Sequence, residues 1–474
     1  MIHNFFTDKI QENFPFTFTN DQRIALDKIV EFLISKTDNQ VFLLKGYAGT
    51  GKSSLIGSLV RTMNDFKQKS VLLAPTGRAA KVFSGYAGQQ AYTVHKKIYR
   101  QKKFADGGGH FDLVPNLHKH TLFIVDEASM ISNQNGESSL FGTGRLLDDL
   151  IEHVYSGDGC KLLLIGDSAQ LPPVKQEISP ALDSSVLSSY HLEVIESTLK
   201  EIVRQEEESG ILYNATQLRN TLLNGDTTEF PKIEIEGFKD IKQISGAELI
   251  DEIANAYNHE GIEETIVVSR SNKRVNAFNN GIRNMILFRE DELSSGDLLM
   301  ITKNNYYWVD KFDNIDFLAN GEFVEVLRVR GSEEMYGFRF CNVLLKHRDY
   351  DIEFEAKIIM DTLHTEVPGL TYEQNDALFT SVMEDYADIP QKRERYKKLK
   401  ENPYFNALQV KYGYAVTCHK AQGGEWQNVF LDLGYINKSY MGDSFYRWLY
   451  TSITRSVRML YLVNFPKELV ALSK

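Results

Sequence analysis

The chain has 474 residues, 42% of them hydrophobic and 25% charged, with a formal net charge of −11. That length predicts two to four domains, since single cores stop growing well below it, and the composition is ordinary for globular proteins. No apolar run approaches the roughly 20 residues of a membrane-spanning helix, and the first residues lack the basic and apolar regions of a signal peptide, so no membrane contact and a cytoplasmic location are expected. The acidic balance argues weakly against a protein coated in nucleic acid, although a groove can be basic on an acidic body. Cys160, Cys341 and Cys418 lie far apart with no zinc-type spacing, so reduced thiols and no structural metal are expected.

In chain order, "NDQRIALDKIVEFLIS" has helical spacing, "VFLLKG" reads as a buried strand and "SSLIGSLVRTMNDF" as a helix. "SVLLAPT" is then a strand and "GRAAKVFSGYA" a helix, while "TLFIVDEAS" and "KLLLIGD" are strands that end in polar residues. Short apolar runs joined by helices predict a parallel sheet covered on both faces, with functional groups at the carboxyl ends of its strands. The stretch "IYRQKKFADGGGHFDLVPN" (98–116) interrupts this alternation and reads as a protruding hairpin around three glycines. After about residue 200 a second alternating region begins, with "ELIDEIANAYN" and "KRVNAFNNGIRNMI" as helices around the strand "ETIVVSRS". From about 295 to 405 the text turns to short β-like pieces and then a polar helical stretch, and "LQVKYGYAVTCHKAQG" returns to α/β character. The β-rich piece is therefore expected to be an insertion in the second α/β domain. Its basic run "KRERYKKLK" (392–400) reads equally as a nucleic-acid contact or a solvated helix face.

Gly46, four residues, then Gly51, Lys52 and Ser53 form the pattern of a phosphate loop between a strand and a helix. A nucleoside triphosphate needs backbone N–H groups around its phosphates, a cation on the outer ones and a hydroxyl for magnesium. The loop supplies all three, with Ala48, Gly49, Thr50 and Ser54 completing the cradle, Lys52 as cation and Ser53 as metal ligand. At the next strand end, Asp126 orients magnesium and Glu127 polarises an attacking water; the plainer reading is an acidic helix start. Gln170, in "GDSAQLPPV", is a candidate γ-phosphate sensor or a merely solvated loop residue. Together these predict a magnesium-dependent NTPase.

The order "NDQRIAL", "GYAGTGKS", "APTGRAAK", "YTVHKKIY", "VDEASM", "GDSAQLPPV", "EIVRQ", "YAVTCHKAQGGEW" and "LYTSITRS" resembles the superfamily 1 DNA helicases, and more narrowly the 5′-to-3′ branch of RecD and Dda. The resemblance implies an α/β fold of two RecA-like parallel-sheet domains with a hairpin pin and an inserted small β-barrel. The expected boundaries are 1–200 for the first domain (pin at 98–118), 201–300 and 406–474 for the second, and 301–405 for the barrel. It implies that Gln22 reads adenine, making ATP the fuel, that Gly424 and Glu425 hold the ribose side, and that Arg204 and Arg455 reach the γ-phosphate from the second domain. DNA contacts fall on Pro75, Thr76, Thr93, His95, Thr417 and His419, the two histidines admitting a reading as hydrogen-bonded interior groups. Phe104 and Phe111 of the pin either wedge against a base pair or pack the hairpin on its own domain. The expected partners are single-stranded DNA and single-strand/duplex junctions, with a monomeric motor and repair or replication proteins as possible company. Competing readings are a small-molecule kinase, which gives no role to "GDSAQLPPV" or "TSITRS", an ATP-driven switch indifferent to DNA, and a translocase or motor subunit that does not unwind.

Overall fold

The computed structural model describes residues 2–101, 111–134, 141–203, 208–312, 315 and 317–471. In the N-terminal part, helices α1 (Ile2–Glu12) and α2 (Asn20–Ile34) precede β1 (Gln40–Gly46), and α3 (Lys52–Asp65) leads to β2 (Lys69–Ala74). Helix α4 (Gly77–Ala87), β3 (Ala91–Thr93), α5 (Val94–Ile98) and the short strands β4 (Tyr99–Gln101) and β5 (Phe111–Leu113) follow. Then come β6 (Thr121–Val125), α6 (Leu146–Tyr155), β7 (Lys161–Gly166), α7 (Ser184–Ser188) and β8 (Glu193–Leu199). Six of these strands form one sheet in the order β3-β2-β6-β7-β1-β8, every pair parallel.

The side-chain alternation of β1 shows why its run is continuously apolar. Phe42 and Leu44 enter the core under α1, α2 and α3, whereas Val41 and Leu43 enter the core under α6 on the other face. A strand buried on both sides has no polar face to show. Helix α2 starts with a capping box in which Thr19 and Gln22 satisfy each other's backbone N–H groups. Strands β4 and β5 pair antiparallel, Gln101 opposite Phe111, so the base of the expected hairpin is present while its tip lies outside the described residues.

The second sheet has the order β16-β10-β17-β18-β9, built from β9 (Ile241–Ile244), β10 (Thr265–Ser269), β16 (Ala415–Thr417), β17 (Trp426–Asp432) and β18 (Ser456–Val463). All its pairs are parallel. Its helices are α8 (Gly210–Asn224), α9 (Leu249–Glu260), α10 (Asn272–Met285), the short α13 (Cys418–Ala421) and α14 (Asp443–Ile453). Between β10 and β16, strands β11 (Leu298–Ile301), β12 (Phe323–Met335), β13 (Phe338–His347), β14 (Ile352–Ile359) and β15 (Leu408–Tyr412) close a barrel. Closure uses one parallel contact, Ile358 and Ile359 beside Leu408 and Gln409. The barrel thus takes in β11 and β15 from just outside the segment 301–405, because each pairs antiparallel with the other.

Helices α11 (Tyr372–Glu384) and α12 (Lys392–Glu401) fill the β14–β15 connection. They bury Leu378, Val382 and Leu399 against Phe338 and Phe340 of the β12–β13 hairpin. Leu399 is the buried residue of α12, so "KRERYKKLK" forms a solvated helix surface. All three cysteines are buried free thiols. Among the described residues no helix is long and apolar enough to cross a membrane.

The barrel is tied to the second sheet by one buried carboxylate. Asp297, 0% exposed, accepts from Arg283 of α10 at 2.9 Å, from the Ser294 N–H at 2.8 Å and from the Tyr414 hydroxyl at 2.9 Å, and pairs with Arg289. Burial alone would raise its pKa, but the guanidinium and N–H donors outweigh it and hold the carboxyl below its ordinary value. Asp297→Ala leaves two guanidiniums without their buried counter-charge and is expected to cost about 3–5 kcal/mol, read as a lowered midpoint in denaturant unfolding.

Candidate active site in the interdomain cleft

Strand β1 runs straight into the phosphate loop. Gly49 and Gly51 have φ of +76° and +78°, a left-handed backbone that other residues rarely adopt, and Gly51 caps α3 so that its first N–H groups face the loop. A Cβ on Gly46 would meet the Lys52 stem at 2.9 Å. The Lys52 ammonium is parked on its own loop, donating to the carbonyls of Gly46 at 2.7 Å and Tyr47 at 2.8 Å. Gln22, 0% exposed, donates from its amide to the Thr50 carbonyl at 2.9 Å and accepts from the Thr19 N–H, so α2 holds the loop from behind. Ser53 is exposed and Ser54 half-buried on the first turn of α3.

The carboxyl ends of β6 and β7 meet this loop. Asp126 accepts from the Tyr86 hydroxyl and from the Glu127 N–H at 2.8 Å. Glu127 itself has φ of +51°, an uncommon conformation for a side-chain-bearing residue. Burial pushes the Glu127 carboxyl up to about 7, with Arg455 opposing and Asp126 adding to the rise. Burial also raises Asp126, against the hydrogen bonds from Tyr86 and the Glu127 N–H. Gln170, 6% exposed, has a buried side-chain oxygen with no partner among the described residues.

The second sheet supplies the opposite wall. Arg455, 3% exposed, sits in the turn between α14 and β18 and donates to the carbonyls of Gly424 at 3.1 Å and Thr451 at 3.0 Å. Glu425 is exposed, and its carbonyl accepts from Arg78 of α4, whose guanidinium lies 3.9 Å from the Trp426 ring centre. A cavity of about 560 Å³ joins the walls, lined by Gln22, Lys52, Ser53, Asp126, Glu127, Gln170, Glu425 and Arg455 among others. These residues, read from distant parts of the chain, share one cleft. Arg204 lies outside the described residues, directly after Val203, which lines the same cavity.

Sequence reasoning did not single out the groups that bridge the cleft. The Tyr450 hydroxyl of α14 accepts from the Ala48 N–H of the phosphate loop at 3.0 Å and donates to Asp167 at 2.6 Å. Thr451 accepts from the Leu171 N–H at 2.9 Å, Gln422 donates to the Leu171 carbonyl at 2.8 Å, and Arg447 donates to the Ser168 carbonyl. Asp167 and Tyr450 both stand inside quoted motif text, yet one tyrosine among 23 carries no local mark of such a role.

The residues expected to touch DNA fall into two groups. Pro75 and Thr76 are half-buried at the end of β2, where Thr76 caps α4 by accepting from the Ala79 N–H at 3.2 Å. Thr417 ends β16 half-buried and His419 is exposed on α13. Thr93, 5% exposed, instead caps α5 by accepting from the Lys96 N–H at 3.1 Å. His95 is half-buried and packs its ring 4.9 Å from Phe141, and desolvation lowers its pKa to about 4, which favours a neutral imidazole. Phe111, 5% exposed, packs in tilted contacts against Phe141 and Tyr306 at ring distances of 4.8 and 4.5 Å. The wedge role is therefore corrected for Phe111, because its ring is used to pack the hairpin base; Phe104 lies outside the described residues.

A family model described as an AAA domain matches residues 17–234, and one described as a UvrD-like helicase C-terminal domain matches residues 412–463. The ATP-dependent RecD2 DNA helicase of Deinococcus radiodurans is 23% identical over 88% of this chain and 46% of its own length. The ATP-dependent DNA helicase dda of Enterobacteria phage T4 is 23% identical over 71% of this chain and 73% of its own. The chain thus spans less than half the length of RecD2. Among solved structures, that of a Pif1 helicase from Bacteroides in complex with ADP-AlF3 and ssDNA is 14% identical, covers 97% of this chain and 95% of that one, and has a TM-score of 0.48.

Since the Lys52 ammonium touches carbonyls of its own loop, Lys52→Ala is expected to keep the thermal midpoint while weakening a fluorescent ATP analogue about tenfold or more, as loss of a charge-assisted phosphate contact does. Unchanged affinity in a titration would contradict the phosphate-loop assignment.

Proposed function

We propose that this chain, a superfamily 1 helicase of the RecD and Dda type, hydrolyses ATP in the interdomain cleft and uses the energy to move 5′ to 3′ along single-stranded DNA, unwinding duplex ahead of it. The observation that carries this reading is the convergence on one cavity of the phosphate loop and carboxylate pair from one sheet and Arg455 from the other. A nucleotide bound there touches both domains, so binding favours closure and hydrolysis releases it. Pro75 and Thr76 lie at strand ends of the first domain, and Thr417 and His419 at those of the second. Hydroxyls and an imidazole suit backbone contact without base readout, and alternate tightening of the two grips converts closure into travel. Because one chain supplies both walls, the motor works as a monomer.

In this reading Gln22 leaves the Thr50 carbonyl to meet adenine, Lys52 exchanges its two carbonyl partners for the outer phosphates, and Glu425 and Gly424 border the ribose. The Ser53 hydroxyl and Asp126 carboxylate are hard oxygen donors lining one cavity, which suits magnesium; bound there, the ion would neutralise charge on the phosphates. Glu127, on the cavity lining, takes a proton from the attacking water. Gln170 supplies its amide to the γ-phosphate. Arg455, with Arg204 by resemblance, stabilises the charge that develops on the transferred group.

ATP-driven unwinding is tested with two partial duplexes, one with a 5′ and one with a 3′ single-stranded tail, alongside turnover with and without single-stranded DNA. Unwinding of the 5′-tailed substrate alone, with DNA-stimulated turnover, is expected; turnover indifferent to DNA would favour the switch reading. The acid limb of kcat/KM for ATP reports the free enzyme's base. It is expected to rise with pH with a midpoint near 7, since Glu127 acts when ionised and burial has raised it to about 7. Arg455→Ala removes the cation that opposes this rise, so the limb moves to higher pH while kcat falls about 100-fold or more; an unmoved limb would contradict the pairing.

A further inference from the structure

Arginine is seldom buried without a carboxylate beside it, because the guanidinium loses hydration that nothing then replaces. Arg219 on α8 is such a residue. It is 8% exposed, and its hydrogen bonds among the described residues go to the side-chain oxygen of its neighbour Asn220, at 3.3 and 3.2 Å. What the guanidinium faces is a ring: it lies 4.6 Å from the ring centre of Tyr47, itself 6% exposed, and a desolvated cation is drawn to the negative face of such a ring. Tyr47 belongs to the phosphate loop of the first domain and Arg219 to the second domain. The same helix touches the loop again two turns earlier, where Leu212 stands 3.1 Å from the place a Cβ on Gly49 would take. Helix α8 also packs along α14, the helix of Tyr450, and so moves with the second domain.

Tyr47 gives the loop its shape. Its carbonyl accepts from the Lys52 ammonium at 2.8 Å and from the Thr50 hydroxyl at 2.8 Å, so a shift of the Tyr47 backbone carries the loop's cation and its turn along with it. Tyr47, Ala48 and Gly49 line the nucleotide cavity, while Arg219 does not; the arginine reaches a bound nucleotide through the loop. A side chain needed only to fill this space would cost less as an apolar one. We infer that Arg219 is a positioning residue for ATP binding: its guanidinium fixes the Tyr47 ring, and the ring fixes the backbone that presents the phosphate loop to a triphosphate. The inference rests on the hydrolysis reading and deepens it, giving the second domain a hold on the loop that binds phosphate. With α8 in place the loop is ordered before the nucleotide arrives, so binding does not have to order it. When α8 withdraws, the ring loses its cation and the loop its fixed shape, and domain opening thereby loosens the nucleotide.

The test is a double-mutant cycle on the full chain, read by titration of a fluorescent ATP analogue, by steady-state turnover with single-stranded DNA and by the thermal midpoint. Arg219→Met, similar in reach and uncharged, is expected to weaken the analogue about fivefold, the scale of one partly desolvated cation–π contact. KM for ATP rises to match while kcat stays within about twofold, the pattern of lost binding rather than lost chemistry. Tyr47→Leu gives the same loss, and the double variant no more than either single one, because the two side chains act as a unit. Tyr47→Phe keeps the ring and stays within about twofold of the wild type. Should Arg219→Met lack a cooperative thermal transition, the comparison of Tyr47→Phe with Tyr47→Leu decides, and equal affinities in those two would overturn the inference. Losses that multiply in the double variant, a fall in kcat at unchanged KM, or unchanged affinity in Arg219→Met beside a wild type that binds would each overturn the positioning role and leave the hydrolytic site standing. A wild type that fails to bind the analogue would overturn both.

Discussion

One buried phenol fixes how the two sheets face each other. Tyr450 takes an N–H of the phosphate loop and donates to Asp167, so a residue of the second domain completes hydrogen bonds in two cleft-lining segments of the first. Around it, Arg447, Thr451 and Gln422 occupy the polar backbone groups of loop 167–171. Leaving such groups buried and unpaired costs about 1–3 kcal/mol each. The loop that carries Gln170 therefore follows the second domain whenever that domain moves.

The cleft is built with its charges incomplete. Two carboxylates stand side by side in a poorly hydrated place, which raises both, while the nearest ammonium is spent on loop carbonyls. A bound triphosphate with its cation rebalances this set, and Arg455 contributes positive charge from across the cleft. Helix α4 transmits the state of the site outward. Its cap, Thr76, sits at the end of β2; Arg78, in the first turn, grips the Glu425 carbonyl and the Trp426 ring; Tyr86, at its far end, holds Asp126. A rigid helix with those three attachments cannot shift at one without shifting at the others.

Much of this was legible in the chain text for physical reasons that differ by element. The strands "VFLLKG" and "LLLIG" were readable because parallel strands covered on both faces leave no polar alternation, and the phosphate loop because its constraints are local, glycine being needed at positions 49 and 51. The bridge between Ala48 and Tyr450 joins residues 402 apart, and nothing near either residue announces it. Thr93 and His95 stood in motif text and Phe111 in the hairpin, each with more than one role open to a side chain of its type; what the text did not carry is the packing around them, a helix cap, a half-buried imidazole beside Phe141 and an aromatic hairpin base. The barrel was visible as a change of texture, while its closing strands β11 and β15 resemble the flanks of the surrounding α/β domain.

The central claim is that one chain builds the whole hydrolytic site by folding two domains around a nucleotide. Mixing the Lys52→Ala and Arg455→Ala variants in equal amounts, with ATP and single-stranded DNA, tests it most directly. If both walls of each site come from the same chain, the mixture stays as inactive as either variant alone. Recovery of turnover on mixing would mean that the arginine of one molecule completes the phosphate loop of another, and would contradict the account.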